Sequence, residues 1–493
     1  MELMEALRVY TSHKEFRPGQ KRTISSVLGG KHTISMLPTG TGKSLCYQLP
    51  GYMRKGSVLI VSPLLSLMHD QVEQLRAAGE KRAVALNSFL PLEEKNRAMA
   101  SLEGYKFIFI SPEMLGIPMV TARMKELEIA LFVVDEAHCI SQWGYDFRPD
   151  YARLGDVREN LGNPITLALT ATATSEVRAD IARQLHLDDW EEIVYSIDRP
   201  AIAISVEQVG RDKKLSRVIE LAESLEGPGI IYFSSKRKAE EIAILLRQHG
   251  MNAMSYHGGL EQENRILIQQ QFVKGQLDII CATSAFGMGI NKQDVRFILH
   301  YHMPLDIESY VQEIGRAGRD NGKSIAILLY SPGDEQLSFG LAALELPDDI
   351  QISSFFSLAK EIGMKPGDCK TYEKQLVPSA GLTEIQWRLL CDFLLRWKQE
   401  KMGAIEEKFS LYVEQRRKVK SNKIKDMLAF ISAESCKRVF LLKFFGENAD
   451  ISKETCCSSC GFSYLSFVKK IKNSSRNYHV TWQEELASLL LRR

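Results

Sequence analysis

Short apolar runs rich in branched side chains recur along the first two thirds of the chain, and polar segments with helical spacing separate them. Such runs are typical of strands buried on both faces of a parallel sheet, because crossover helices cover each face. Two series of four runs predict an α/β fold with two doubly wound parallel-sheet domains in tandem. The runs are 58–63, 107–112, 131–136 and 164–172, followed by 229–235, 277–284, 295–301 and 324–331.

Length and composition restrict the class of protein. A chain of 493 residues with 45% hydrophobic and 25% charged residues is expected to form several packed domains. No apolar stretch approaches the roughly 18 residues of a transmembrane helix, and the first residues, MELMEALRVY, lack the pattern of a secretory signal. We therefore expect a cytoplasmic protein without a membrane partner. A net charge of +2 means that any attraction for nucleic acid must come from local patches.

A glycine-rich turn, PTGTGKS at residues 38–44, lies between an apolar stretch and a helix-like segment. Backbone N–H groups of such a turn and the following helix N-terminus can cradle phosphates. Lys43 is expected to contact the β- and γ-phosphates of ATP, and the Ser44 hydroxyl to bind Mg²⁺. The strict pattern has glycine where this chain has Leu37, so the turn alone also fits an ordinary loop. The nucleotide-binding residues expected here are Thr39, Gly40, Thr41, Gly42, Lys43 and Ser44.

An acidic pair at the end of the run LFVV gives this turn a chemical partner. Asp135 and Glu136 follow the run directly, and the carboxyl ends of parallel strands form the edge at which such sheets bind ligands. Asp135 is suited to contact with Mg²⁺, and Glu136 is suited to orient or deprotonate the attacking water. By itself the pair also fits the solvated start of a helix. Together with the upstream turn it predicts a P-loop NTPase.

Two arginines in the second series of runs narrow this class. Arg316 and Arg319 lie three residues apart between glycines that allow close approach, and Gln312 precedes them. Guanidinium groups bind phosphate bidentately and stabilise charge on a transferring phosphoryl group. The segment therefore predicts an arginine finger, with surface arginines on an exposed helix as the alternative. The catalytic residues expected are Lys43, Asp135, Glu136, Gln312, Arg316 and Arg319.

Four of the nine cysteines crowd into one C-terminal segment. Cys436 lies 20 residues before Cys456, and Cys457 and Cys460 form a C-x-x-C pair that can bind one tetrahedral ion. In a reducing compartment this clustering favours a structural Zn²⁺ over disulfides. Adjacent cysteines are unusual as co-ligands, so one of the neighbours can be a bystander, and Cys457 is the safer ligand.

A series of motifs runs in order along the chain. They are FRPGQ (16–20), PTGTGKSLCYQLP (38–50), VSPLLSLMHDQV (61–72), SPE (111–113), DEAHCISQWGYDFRPDY (135–151), ALTATAT (168–174), YFSS (232–235), YHGGL (256–260), CATSAFGMGINKQDVRF (281–297) and QEIGRAGRD (312–320). The series resembles the RecQ family of superfamily-two DNA helicases, and CKRVFLLKFFGE (436–447) continues the resemblance beside the cysteines. The resemblance implies two RecA-like domains and a C-terminal helical zinc-binding region. It also implies an ATP-dependent enzyme that moves 3′ to 5′ on single-stranded DNA and unwinds duplex DNA in repair, recombination or replication-fork maintenance.

The same resemblance implies roles for individual residues. Gln20 is expected to read adenine through its amide, and Arg17 to pack its guanidinium plane on the base. His13 stands where the family often has an aromatic residue, and a stacked imidazole is the expected substitute. The aromatic and charged segment 143–151 is expected to stack on bases of a single strand, with a buried aromatic cluster as the alternative. The DNA-binding residues implied are Ser62, Ser111, Trp143, Phe147, Arg148, Ser234, His257 and Thr283. Those at or near strand ends are expected to contact phosphates through hydroxyl and backbone N–H groups. The zinc ligands implied are Cys436, Cys456, Cys457 and Cys460.

The expected domains follow these patterns. The segment 366–382, rich in proline, glycine and lysine, is expected to form a loop. Between residues 396 and 438, twelve Lys or Arg accompany six Asp or Glu. This excess predicts either a solvated amphipathic helix or a helix that contacts duplex phosphates. The divisions are 1–200 and 201–340 for the two helicase domains, 341–413 for a helical region of uncertain fold, 414–465 for the helical zinc-binding subdomain and 466–493 for a linker with a short helix.

Competing hypotheses remain beside this one. Only 33 residues follow Cys460, so a short member without the winged-helix and HRDC modules is expected. The protein is also expected to be a monomer. A related DEAD/DEAH RNA helicase is the main alternative, and the cysteine cluster and the aromatic segment argue against it. A DNA-binding protein with an inactive NTPase site is disfavoured because Lys43, Asp135, Glu136 and Arg319 are all present. A translocase that hydrolyses ATP without opening duplex stays an alternative, because the sequence does not identify the strand-separating element.

Overall fold

The computed structural model of the protein describes residues 2–11, 13–87, 90–141, 148–287, 292–447 and 456–469. Its first sheet contains the strands that the first four runs predicted, together with three others. These strands are β1 His32–Met36, β2 Ser57–Val61, β3 Ala83–Leu86, β4 Phe107–Ile110, β5 Ile129–Val134, β6 Thr166–Thr170 and β7 Trp190–Val194. They lie in the order β3-β4-β2-β5-β6-β1-β7, and every neighbouring pair is parallel.

Helices follow or precede each of these strands. They are α1 Leu3–Tyr10, α2 Gln20–Leu28, α3 Leu45–Met53, α4 Leu65–Ala77, α5 Leu92–Ala100, α6 Pro112–Leu115, α7 Pro118–Lys125, α8 Leu154–Asn160 and α9 Ser175–Gln184, with 3₁₀ turns at Leu102–Gly104, Ala137–Ile140 and Pro149–Arg153. The pattern of apolar runs did not predict strand β1, because this strand carries buried hydroxyl groups. The hydroxyls of Thr33 and Ser35 hydrogen-bond Ser26 at 2.9 Å and Thr23 at 2.8 Å on α2, which makes their burial tolerable.

The second sheet is also entirely parallel and confirms the second series of runs. Its strands are β8 Ile202–Gln208, β9 Gly229–Tyr232, β10 Ala253–Tyr256, β11 Ile279–Ala282, β12 Phe297–His300 and β13 Ser324–Tyr330, in the order β10-β11-β9-β12-β13-β8. Its helices are α10 Lys214–Ser224, α11 Lys236–Gln248, α12 Gln262–Val273 and α13 Ile307–Ile314. The predicted fold class, two doubly wound parallel-sheet domains in tandem, is therefore confirmed.

Helices dominate the described residues after β13. They are α14 Asp334–Leu344, α15 Asp349–Glu361, α16 Glu373–Ser379, α17 Glu384–Arg396, α18 Met402–Ser432 and α19 Lys437–Phe444, with 3₁₀ turns at Pro366–Tyr372, Ser458–Cys460 and Tyr464–Phe467. Capping boxes start α15 at Asp348 and α17 at Thr383, so local sequence fixes both entry points. The prediction of a loop at 366–382 is wrong, because this segment forms a 3₁₀ turn and α16. Burial of Cys369 and Leu376 in a helical core outweighs the local proline and glycine content.

Helix α18 joins two cores. Its first half contributes Ile405, Phe409 and Val413 to the helical cluster that begins at Leu346. Its second half contributes Ile424, Met427, Phe430 and Ile431 to the large cluster shared with the two sheets. The division expected at residue 413 therefore falls inside one continuous helix.

The cysteine segment packs on the edge of the second sheet. The Ile204 N–H donates to the Cys456 carbonyl at 3.2 Å, and the Ser205 and Tyr464 hydroxyls lie 2.6 Å apart. The segment thereby covers the outer side of β8, the edge strand. Most of the expected linker and terminal helix, residues 470–493, lies outside the described residues. Among the helices that the structure describes, none combines the length and apolarity needed to cross a membrane.

Candidate nucleotide site, nucleic-acid cavity and metal site

The turn at residues 38–44, called the P-loop below, connects β1 to α3. Gly40 and Gly42 have φ values of 85° and 72°, a left-handed backbone that glycine adopts without strain. A side chain at Gly40 would also meet Arg319 Cγ at 3.1 Å. Leu37, which departs from the strict pattern, is fully buried, and its N–H donates to the Thr170 carbonyl at 3.0 Å. The departure therefore extends the strand and leaves the glycine turn intact.

A cavity of about 390 Å³, called the nucleotide cavity below, opens between the two sheets. The structure brings almost the whole predicted nucleotide and catalytic set together around it. Thr41 is the exception among those residues, because it does not line the cavity and its hydroxyl donates to the Pro38 carbonyl at 2.8 Å. The lining includes Arg17, Gln20, Thr39, Gly40, Gly42, Lys43, Ser44, Asp135, Glu136, Gln312, Arg316 and Arg319, and also His13.

Gln20 and Arg17 hold the P-loop directly. The Gln20 amide N–H group donates to the Thr41 carbonyl at 2.7 Å and to the Gly42 carbonyl at 2.9 Å. The Gln20 side-chain oxygen accepts from the Arg17 backbone N–H at 2.8 Å, and the Arg17 guanidinium donates to the Gly40 carbonyl. This bracing of the phosphate turn is a role that the sequence did not reveal.

The acidic pair occupies the carboxyl end of β5. Enclosure in the cavity raises the pKa of Asp135 to about 7, the negative charge of Glu136 adds to this effect, and Lys43 opposes it. A carboxylate held at so high a pKa has too little positive charge around it, which suits a group that binds a cation. Glu136 adopts a left-handed backbone with φ of 49°, and its N–H donates to Asp135 Oδ1 at 3.0 Å.

A buried histidine links the acidic pair to the next strand. His138 Nδ1 lies 3.4 Å from the Glu136 carboxylate and 3.0 Å from the Thr170 hydroxyl at the end of β6. Thr170 belongs to the motif ALTATAT, so the His138 imidazole lies between side chains of two sequence motifs.

Two arginines enter the nucleotide cavity from the second sheet. Arg316 is 4% exposed, and its guanidinium donates to the Gly287 carbonyl. Burial, together with the positive charges of Arg316 and Arg199, lowers the pKa of Arg319 to about 9. Like charges that converge in this way are relieved by a polyanion such as a triphosphate.

A larger cavity of about 640 Å³, called the central cavity below, is lined in part by residues of α13. Among the predicted DNA-binding residues, Arg148, Ser234 and Thr283 line it. Gln312 and Arg316 line both cavities, so the two spaces meet at these side chains. Further residues with basic or hydrogen-bond-donating side chains line the central cavity, and the sequence motifs did not predict them. These are Lys236, His302, Arg416, Lys420 and Lys423. Some of them belong to the basic segment 396–438.

Three other predicted contacts are buried and do not line the central cavity as the structure describes it. Ser62 is 1% exposed. The Ser111 hydroxyl accepts the Met114 N–H at 3.4 Å and caps α6. His257 Nε2 lies 2.8 Å from the Glu240 carboxylate. Trp143 and Phe147 lie outside the described residues.

Backbone N–H groups at the strand ends were expected to bind phosphates. Instead they complete the sheets: those of Ser62, Ser111 and Thr283 donate to carbonyls of neighbouring segments. The Ser234 N–H donates to His302 Nδ1 at 3.0 Å. That expectation is wrong for these four groups, since a strand end in a parallel sheet satisfies its own donors. Side chains remain for contact with a ligand.

Acidic residues pair with the basic face of α18. Lys423 lies 2.5 Å from Glu308 on α13, and Arg417 lies 2.8 Å from Asp349. Lys420 pairs with Glu345. Both Lys420 and Lys423 also line the central cavity, so part of the basic face of α18 faces the interior of the protein and is not simply solvated.

The four C-terminal cysteines form one cluster. The Sγ atoms of Cys436 and Cys456 are 3.4 Å apart, those of Cys457 and Cys460 are 3.5 Å apart, and all four lie within 4.8 Å of one another. Zn–S bonds of about 2.3 Å in a tetrahedron require sulfur separations of about 3.8 Å. The cluster fits Zn²⁺ with four ligands, and Cys456 belongs to it as much as Cys457 does.

Comparisons with known proteins agree with this arrangement. Residues 17–180 match the DEAD/DEAH box helicase family, residues 213–321 the helicase conserved C-terminal domain and residues 398–462 the RecQ zinc-binding family. The chain is 42% identical over 489 residues to "Probable ATP-dependent DNA helicase RecS" of Bacillus subtilis, covering 98% of this chain and 97% of that protein. It is 34% identical over 460 residues to "ATP-dependent DNA helicase RecQ" of Haemophilus influenzae, covering 93% of this chain and 62% of that protein.

Solved helicase structures share the fold at low sequence identity. Mycobacterium smegmatis helicase Lhr bound to ssDNA and AMP-PNP aligns with a TM-score of 0.55 and 19% identity, covering 79% of this chain and 56% of that one. The DEAD-box helicase Mss116 bound to ssRNA and UDP-BeF aligns with a TM-score of 0.57 and 16% identity, covering 85% and 95%. The sequence matches reach further than this shared fold, because they include the cysteine segment: the chain belongs to the RecQ family, as an ATP-dependent DNA helicase with a zinc-binding region.

Proposed function

We propose that this helicase moves 3′ to 5′ along single-stranded DNA and opens duplex DNA during repair, recombination or replication-fork maintenance. One observation supports the motor most strongly: Gln312 and Arg316 line both the nucleotide cavity and the central cavity. A change in the phosphates can therefore reach a bound strand through side chains that touch both spaces. The family resemblance supports the direction of movement. The protein is further proposed to act as a monomer in the cytoplasm, at the nucleoid when bound to DNA.

Each nucleotide residue has a proposed task. Lys43 contacts the β- and γ-phosphates, while Ser44 and Asp135 hold Mg²⁺, which would neutralise phosphate charge when bound. Glu136 accepts the proton of the attacking water or orients it, and the nearby His138 keeps this carboxylate in place. Arg319 stabilises charge on the transferring phosphoryl group, since it reaches the P-loop from the other domain. Arg17 and Gln20 position the P-loop and bind adenine.

The central cavity is the proposed path of the DNA strand. Arg148 and Lys236 supply positive charge from the two domains, and Ser234 and Thr283 supply hydroxyl groups. Such contacts attract a phosphate backbone without reading its sequence. Trp143 and Phe147 are proposed to stack on bases, and Ser62, Ser111 and His257 act behind this surface by supporting strand ends.

Strand displacement tests the proposal. Duplexes of equal length and sequence should carry a 3′ tail, a 5′ tail or no tail, and RNA duplexes of the same sequence serve as controls. We expect opening of the 3′-tailed DNA in the presence of ATP and Mg²⁺, with little opening of the others. Preferential opening of 5′-tailed DNA would reverse the proposed direction. A Glu136→Gln variant controls for opening that does not need hydrolysis.

A further inference from the structure

Arg199 lies in the linker between β7 and β8, which joins the two sheets. One guanidinium nitrogen donates to the Thr39 carbonyl at 3.0 Å and to the Gly315 carbonyl at 2.8 Å. The other terminal nitrogen donates to the carbonyls of Ala317 at 3.0 Å and Gly318 at 2.9 Å. Four main-chain carbonyls from two domains thus converge on one side chain.

These carbonyls belong to the two halves of the nucleotide site. Thr39 is in the P-loop, and residues 315–319, called the arginine loop below, contain Arg316 and Arg319. The Thr39 hydroxyl also donates directly to the Gly315 carbonyl at 2.9 Å. Because these bonds join different domains, they can exist together only while the domains are closed. A planar guanidinium can satisfy several carbonyls in one plane, and a lysine ammonium cannot reproduce that geometry.

The zinc-binding region holds the linker from behind. Arg438 on α19 is 3% exposed, and its guanidinium donates to the Asp198 carboxylate at 2.5 Å and to the Arg199 carbonyl at 3.0 Å. It also donates to the Ile202 carbonyl. The Glu447 carboxylate accepts the Ile197 N–H at 2.8 Å. The linker backbone around Arg199 is therefore anchored at several points.

Charge makes this arrangement dependent on an anion. Arg199, Arg316 and Arg319 carry like charges close together. Arg199 donates to main-chain carbonyls, and Arg316 donates to the Gly287 carbonyl. Repulsion among the three opposes closure when the nucleotide cavity contains no phosphate. A bound triphosphate offsets that repulsion.

We propose that Arg199 is a positioning residue of the ATPase, which aligns the P-loop with the arginine loop when the domains close on ATP, and that Arg438 holds it in register. This inference rests on the proposed part of Arg319 in hydrolysis. Arg199 acts on the reaction through the two loops it connects. In the sequence, Arg199 lies outside the motifs that predicted the nucleotide site.

Steady-state ATP hydrolysis with saturating single-stranded DNA is the first test, on Arg199→Lys and Arg199→Met. We expect kcat to fall at least about tenfold in both, while KM for ATP changes less than about threefold, because ground-state phosphate contacts remain. Arg22→Lys is the matched control, since Arg22 is exposed and pairs with Glu191 at 3.3 Å away from the cavity. Wild-type kcat in both Arg199 variants would overturn the proposal.

A distance measurement separates positioning from general damage. Fluorophores at the exposed positions 125 and 274 report the separation of the two domains. With a non-hydrolysable ATP analogue, wild type and Arg319→Ala should close, and Arg199→Met should stay open while still binding the analogue. Closure of Arg199→Met to the wild-type distance would contradict the proposal. If only Arg319→Ala fails to close, Arg319 would be needed for closure, which would contradict its proposed role in hydrolysis.

The connection between Arg199 and Arg438 on α19 is tested by combining two substitutions. Asp198→Asn removes the carboxylate partner of Arg438 from a partly exposed site, and it should lower kcat in the same direction as Arg199→Lys. The double variant should be little worse than Arg199→Lys alone, because both changes affect one connection. Multiplicative losses would show that Arg438 and Arg199 act independently, and this would remove Arg438 from the proposal.

Discussion

The two cavities differ in how their positive charges are compensated. In the nucleotide cavity, Arg316 meets a main-chain carbonyl, and Arg319 meets further positive charge. In the central cavity, Lys420 and Lys423 pair with carboxylates of neighbouring helices. Converging arginines attract a compact polyanion such as a triphosphate, whereas a lysine that is already paired with a carboxylate must give up that partner before it binds a phosphate. A motor needs both behaviours, because it must grip the triphosphate and release the strand at each step.

Removing charge from the nucleotide cavity should have the largest effect. We expect Lys43→Ala to abolish ATP turnover and Arg319→Ala to lower it at least about 10³-fold, since an arginine finger contributes this much. Glu136→Gln should still bind ATP and fail to hydrolyse it. Phosphate release and nucleotide affinity should be measured together. Near-normal turnover in Arg319→Ala would shift the assignment to Arg316, which lines both cavities.

Loss of zinc should destabilise the zinc-binding region, which contacts the linker around Arg199 and the edge strand β8. Chelation, or Cys460→Ser, is expected to lower the melting temperature, because metal-binding energy at such a site is folding energy. One zinc per chain should be found by elemental analysis of the untreated protein. Cys456→Ser and Cys457→Ser should have similar effects, since both thiols join the cluster. Cys391→Ser, a buried cysteine outside the cluster, controls for thiol loss. A protein without metal and with unchanged melting would exclude this site.

Removing charge from the central cavity should have a smaller effect. Lys423→Met is expected to weaken single-stranded DNA binding and to reduce the slope of log K against log salt by about 0.7 if one phosphate contact is lost. Because this change leaves Glu308 buried without its partner, Lys423→Met combined with Glu308→Gln is the necessary control. Affinity restored by the second change would mean that Lys423 only neutralises Glu308.

The smallest expected effect concerns pH. The pKa of Asp135 is raised in the folded protein to about 7 from 3.8, so the folded state binds the proton more tightly than the unfolded state. This carboxyl therefore favours folding below pH 3.8 relative to neutral pH, and that contribution is lost as pH rises from 3.8 to about 7. In EDTA without nucleotide, Asp135→Asn should raise the melting temperature at pH 8 and do so less at pH 5. Equal shifts at both values would contradict the assigned pKa.

Much of the fold could be predicted because its strands are continuous apolar runs. The strands that escaped prediction, such as β1 with its buried Thr33 and Ser35, depend on partners from α2 that no local pattern shows. The same is true of 366–382, where burial decides the structure.

The candidate site likewise contains some residues that the sequence could predict and others that it could not. Glycine, lysine, acid and cysteine motifs could be predicted because their chemistry needs fixed residues at fixed spacing. The role of Arg199 could not be predicted, because its four acceptors are backbone carbonyls, which every residue carries whatever its type. The ion pairs of α18 likewise depend on helices far along the chain.

We propose that a strand in the central cavity acts on the nucleotide cavity through α13 and the side chains of Gln312 and Arg316. ATP turnover measured against increasing single-stranded DNA, beside DNA binding by anisotropy in the same buffer, tests it most directly. We expect turnover to rise severalfold and to saturate at the DNA concentration that saturates binding. Turnover that stays unchanged while the DNA binds fully would contradict the claim.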